Sequence, residues 1–155
     1  MHYLNYEGLL DEAYSLDLVV KEVHLSGNKG RLKGNRIAIK KDIPTLKEKA
    51  CILAEELGHH YTTVGNILDQ KNAINRKQEL KARIIAYNKQ VGLLGIIDAY
   101  EANCRCLYDM AEHLDVTEEF LLETLKYYKG KYGEFTRLDN YIIYFEPNLG
   151  VMKLL

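Results

Sequence analysis

The stretch Leu53-Ala-Glu-Glu-Leu-Gly-His-His-Tyr-Thr-Thr63 decides how this chain reads. From Glu55 to His59 it differs at one position from H-E-x-x-H, the helical motif in which two histidines hold zinc and the glutamate between them acts as a base. Glu55 takes the first ligand position, Glu56 the base position and His59 the second ligand position. On a helix, residues i and i+4 share one face, so Glu55 and His59 can address a single cation. Glu56 lies about 100° further round, beside that face, where it can reach a water without ligating the ion.

The reading requires a helix, and the flanking sequence predicts one. Pro44 ends the preceding segment, and Thr45 with Glu48 forms a candidate capping box. Leu46, Ala50, Leu53, Ala54 and Leu57 then supply an apolar face. The helix is expected to start near Thr45 and to carry Glu55 to His60 in its second half. Gly58 costs helix propensity of about 1 kcal/mol but lets another backbone segment come close.

Working outward, Leu4, Leu9, Leu10, Ala13 and Tyr14 have roughly helical spacing. Leu18 to Leu25 reads as a strand, Ser26 to Gly34 as a turn and Asn35 to Lys40 as a second strand, together a hairpin. Beyond the motif, Thr62 to Asn72 reads as a loop. Ile74 to Val91 reads as a helix offering Leu80, Ile84, Ala86 and Tyr87 to the core. Gly92 and Gly95 open a further helical stretch to about Leu114. Thr117, followed by Glu118 and Glu119, caps a last helix that runs to Gly130. Tyr141 to Phe145 and Val151 to Leu154 flank Pro147 to Gly150 as a terminal hairpin. The expected architecture is one α+β domain over residues 1–155. It is mainly helical, with a small antiparallel sheet near the N-terminus and a short C-terminal hairpin.

A chain of 155 residues is long enough to bury a real core. Its 47% apolar and 28% charged content is that of an ordinary globular protein. A net charge of -1 argues against nucleic-acid binding driven by overall charge. No apolar run is long enough to span a bilayer, and the N-terminus lacks the features of a signal peptide. Cys51, Cys104 and Cys106 have no disulfide-framework spacing, so a cytoplasmic protein with reduced thiols is expected.

Two ligands do not make a metal centre, because catalytic zinc usually has three protein ligands and an open position. The following helix offers Glu79, so the candidate set is Glu55, His59 and Glu79 as metal ligands with Glu56 as base. The bland alternative is a solvated helix face with no role. Glu56 and His60 are also i, i+4, which permits a shifted site. Glu56 with His59 forms the E-x-x-H pair of carboxylate di-iron bundles, but those need a second such pair, and Glu112-His113 has the wrong spacing. Ala111 to Leu125 has the outline of a helix-turn-helix, yet Glu118, Glu119 and Glu123 would repel phosphates. Cys104-x-Cys106 is expected to be buried thiols. Tyr141, Tyr144 and Phe145 are expected to be core rather than a peptide groove.

Lys49 to Thr63 resembles the ImmA/IrrE family of metallo-endopeptidases, in which a short β-hairpin precedes a His-Glu-Leu-Gly-His helix. The third ligand of that zincin-like family is a glutamate in a Glu-x-x-Ala context, matched by Glu79-Leu-Lys-Ala82. Ala111 to Thr117 is similar to a later family pattern, Ala-x-x-Phe-x-Val-Ser, and the resemblance runs from about Leu18 to Lys131. It implies metal ligation by His59 and Glu79 and a base role for Glu56, with Glu55 in place of the first histidine. It also implies anti-repressor function: cleavage of a phage or mobile-element repressor, or, in a catalytically impaired member, binding of that repressor without cleavage. Neither nucleic acid nor membrane is expected as a direct partner.

The Glu-for-His exchange has a physical consequence. Two carboxylates and an imidazole cancel the formal charge of a divalent cation, where two histidines and a carboxylate leave one positive unit. Such a site is a weaker Lewis acid and shifts preference from zinc towards manganese or iron. Without metal, the clustered carboxylates are expected to raise one another's pKa or to pair with a basic side chain.

Overall fold

A computed structural model describes the backbone of residues 5–63 and 72–155 and the side chains of 5–63 and 76–155. The expected loop from Thr62 to Asn72 falls mostly outside the described residues, as does Leu4. The chain gathers into two compact units, Leu4–Lys89 and a second from Gln90 to Leu155. The architecture is α+β and mainly helical, as expected.

The first unit contains α1 (Tyr6–Ser15), β1 (Val19–Val23), β2 (Gly30–Lys33), β3 (Arg36–Lys40), α2 (Leu46–Thr62) and nearly all of α3 (Asn72–Gln90). Asn5 caps α1 by accepting the Gly8 amide hydrogen at 2.9 Å, which satisfies one of the free donors of the first turn. Ile37 and Ile39 of β3 face inward and are fully buried. Leu53, Ala54 and Leu57 of α2 and Leu9 and Ala13 of α1 are likewise fully buried, so the apolar face of α2 is spent on packing. Its polar face is left for chemistry.

The N-terminal sheet differs in detail from the expected hairpin. Its strand order is β1-β3-β2, with β1 parallel to β3 and β2 antiparallel to it. The glycine-punctuated turn thus conceals a four-residue strand, Gly30-Arg-Leu-Lys33. The hairpin is β2–β3, turning at Gly34 with φ +62°, a conformation glycine adopts at no steric cost. This insertion makes the two strands read from sequence parallel neighbours, and it places β2 at the sheet edge.

The second unit contains α4 (Gly92–Glu101), α5 (Leu107–Leu114), α6 (Glu118–Tyr132), β4 (Phe135–Leu138), β5 (Tyr141–Tyr144) and β6 (Gly150–Lys153). The single helix expected to end near Leu114 is two helices. Ala102 caps α4, Asn103 turns with φ +65°, and the Cys106 thiol caps α5 by accepting the Asp109 amide hydrogen. Asparagine tolerates that left-handed conformation better than most residues, and it is the only local sign of the break. Thr117 caps α6 as expected, accepting the Phe120 amide hydrogen at 3.1 Å. The expected C-terminal hairpin, β5–β6, is extended by β4 into a three-stranded antiparallel sheet. Phe145 is buried while Tyr141 and Tyr144 are half-buried. Contrary to expectation, Cys104 is half-buried and Cys106 exposed; only Cys51 is buried.

Candidate metal centre

Thr45 accepts the Glu48 amide hydrogen at 3.2 Å and starts α2, and Glu48 takes the Lys29 ammonium at 2.6 Å. At the other end the Thr62 hydroxyl donates to the Gly58 carbonyl at 2.9 Å, closing the last turn. Between these ends Leu53, Ala54 and Leu57 hold the helix against the core, which fixes the opposite rotation of Glu55 and His59. Both are half-buried, whereas Glu56 is buried, with 7% of its surface exposed.

The approach of α3 to this helix depends on a missing side chain. A Cβ added at Gly58 would lie 2.3 Å from the Ala82 carbonyl oxygen and 2.9 Å from its carbonyl carbon, both backbone atoms of α3. Ala82 is itself fully buried and small. Glycine against alanine lets the backbones meet, and Glu79, three residues before Ala82, shares its helix face. The His59 Nε2 and a Glu79 carboxylate oxygen are consequently 3.4 Å apart. One ligand atom each from Glu55, His59 and Glu79 lie within 4.8 Å of one another, and this group could hold a metal ion. Tetrahedral coordination with bonds of about 2.1 Å has ligand–ligand edges of about 3.4 Å, so one edge already has the required length.

The electrostatics of the group suit a cation. Burial pushes the Glu56 carboxyl up to about 8, and the charges of Glu55 and Glu79 push in the same direction. Glu55 faces the Arg83 guanidinium, with Nε 3.4 Å from Oε1. Glu56 thus has a carboxyl raised chiefly by burial and secondarily by its acidic neighbours, and Glu55 pairs with a basic side chain. The donor set of two carboxylates and one imidazole suits a divalent ion.

The four residues line a cleft of about 550 Å³. Its other wall is Asn28 to Leu32, the loop into β2 and most of that strand. Gly30 brings the strand close: an added Cβ there would meet Ile52 Cγ2 at 2.7 Å and a Glu56 carboxylate oxygen at 2.9 Å. Glu56 thus sits between α2 and an edge strand, at the floor of the cleft.

Three parts of this site lie beyond the sequence reading: Gly30, the β2 wall and Arg83. Arg83 had a usable signal, since it follows Glu79 by four residues and so shares its face. Leu80, expected in the core, is 52% exposed, because the inner face of α3 is defined by Ala82, Ala86 and Tyr87. The shifted site gains no support: the His60 ring stands edge-on to Tyr61, with centroids 5.7 Å apart. Among the described residues Glu55, His59 and Glu79 form the candidate ligand group. His113 bonds Asp98 at 2.9 Å, an exposed ion-pair geometry within the second unit. No helix among the described residues is long and apolar enough to cross a membrane. Comparison with protein-family models, with curated proteins and with solved structures finds no match for this chain.

Proposed function

We propose that the chain is a metal-dependent endopeptidase of the ImmA/IrrE type, with Glu55, His59 and Glu79 as ligands and Glu56 as general base. The observation that carries this reading is the convergence of three ligand atoms within 4.8 Å beside a buried glutamate on the same helix. A peptide substrate is favoured by β2, whose side away from β3 has no strand partner among the described residues and which walls the cleft. Such an edge can pair its backbone groups with an extended chain.

A bound divalent ion, zinc in the first instance with manganese or iron as alternatives, would polarise the peptide carbonyl and lower the pKa of water at the site. Glu56 takes a proton from the attacking water and delivers it to the leaving nitrogen as the C–N bond breaks. The products are a carboxylate and an amine, and Glu56 ends as it began. By the resemblance of Lys49 to Thr63, the substrate is a phage or mobile-element repressor, and the three cysteines without disulfide-framework spacing favour a cytoplasmic compartment. A second reading, repressor binding without cleavage, is favoured by the charge lost through Glu55.

The test is to incubate the chain with a candidate repressor and several divalent metals, and to look for chelator-sensitive cleavage. Glu56→Gln is expected to abolish it, and Glu55→His to preserve or raise it. Cleavage that survives Glu56→Gln rejects the mechanism; stable binding with no cleavage under any metal selects the second reading.

A further inference from the structure

The Glu-for-His exchange at position 55 removes one unit of positive charge from the centre, and the same cleft contains a side chain able to return it. Arg83 lies on α3 four residues beyond Glu79 and next to Ala82, whose backbone touches Gly58. Its guanidinium lines the cleft together with Glu55, Glu56, His59 and Glu79. The contact to Glu55 is 3.4 Å, and the arginine side chain is 50% exposed. Locked arginine–carboxylate pairs are shorter, about 2.7–2.9 Å, and frequently bidentate. Arg83 Nε donates a long hydrogen bond to Glu55 Oε1, which offsets the carboxylate charge while a Glu55 oxygen stays within 4.8 Å of ligand atoms of His59 and Glu79.

Resting on the metal-centre reading above, we infer that Arg83 is a charge-compensating residue that restores the positive charge of the centre when a glutamate stands at the first ligand position. With Arg83 counted, two carboxylates, one imidazole, a divalent ion and a guanidinium carry the same net charge as two imidazoles, one carboxylate and the ion. Arginine suits the task because it stays charged under all relevant conditions. The role is conditional. It exists because residue 55 is acidic, and it should disappear when residue 55 is histidine.

This conditionality gives the test a readout that does not need catalysis. Calorimetric titration with Zn²⁺ and Mn²⁺ is carried out on the full chain, Arg83→Gln, Glu55→His and the double variant, with thermal unfolding to confirm that each is folded. Removing a unit charge a few ångströms from the ion should tighten metal binding about fivefold in the Glu55 background. The change should be under about twofold in the Glu55→His background, where the guanidinium has lost its Glu55 partner. Arg83→Lys keeps the charge and should stay close to the parent chain. In a cleavage assay Arg83→Gln should lower kcat more than it changes KM, and Glu55→His should suppress that loss. Equal effects of Arg83→Gln in both backgrounds, or no effect in either while metal still binds, overturn the inference and leave the metal centre standing. If neither ion binds the parent chain or Glu55→His, the metal-centre reading fails and this inference fails with it.

Discussion

Replacing Gly58 by alanine separates a local effect from a tertiary one, because the two predict opposite signs. Considered as helix alone, Gly58→Ala in the interior of α2 should stabilise by about 1 kcal/mol. Considered in the fold, the new methyl would stand 2.3 Å from the Ala82 carbonyl oxygen. Ordinary contact requires α3 to retreat by about 1 Å, since both atoms nearest the methyl are backbone and no side-chain rotation relieves the clash. Overpacking of this kind costs about 1–3 kcal/mol, so the net change is a loss of about 0–2 kcal/mol. Function should suffer more than stability. Glu79 moves with Ala82, and the 3.4 Å approach to His59 lengthens. Displacing a metal ligand through its support typically costs about 10–100-fold in affinity. The assay pairs thermal unfolding with Zn²⁺ and Mn²⁺ titration of the parent chain and the variant. A variant that melts higher and binds metal as well as the parent would refute the claim that glycine at 58 positions Glu79.

In the metal-free chain, stability should depend on pH through Glu56. Its folded pKa of about 8 lies above its ordinary value of 4.5, so the stabilisation is fully present below about pH 4.5 and lost as pH rises through 8. The loss is on the order of 4 kcal/mol, and Glu56→Gln should flatten it. Unfolding midpoints from pH 5 to 9 in chelator check this, and parallel curves for the two chains would contradict it. Gly30→Ala should push against Ile52 and the Glu56 carboxylate, both of which can rotate away. The expected result is a stability loss of about 1 kcal/mol with a larger fall in cleavage, measured by melting and by product formation. Thr45→Ala removes the cap on α2 and should cost about 1 kcal/mol of stability while leaving the metal titration curve of the folded chain in place.

The α+β content, the Thr45 cap and the apolar face of α2 were legible in the sequence because each depends on neighbours within one or two helical turns. The same holds for the shared face of Glu55 and His59, with Glu56 rotated beside it. Gly58 was also readable as a place for close approach, though not the group that approaches it. The four-residue β2 was hidden because Gly30, with Gly27 and Gly34 on either side of the strand, resembles turn punctuation, and only pairing with β3 makes Gly30 to Lys33 a strand. Parallel pairing of β1 with β3 follows from that same insertion. Asn103 carried the whole signal for the break between α4 and α5, and one asparagine is a weak signal.

The motif Glu55-Glu56-Leu57-Gly58-His59 by itself determined which side chains face one way, since helix geometry fixes about 100° of rotation per residue. It did not determine whether Glu79 would arrive. That was decided by Gly58 meeting Ala82, by Gly30 drawing the edge strand over Glu56, and by Arg83 coming to Glu55. Distances between elements depend on how closely backbones can pack, and that depends on which side chains are absent as much as on which are present.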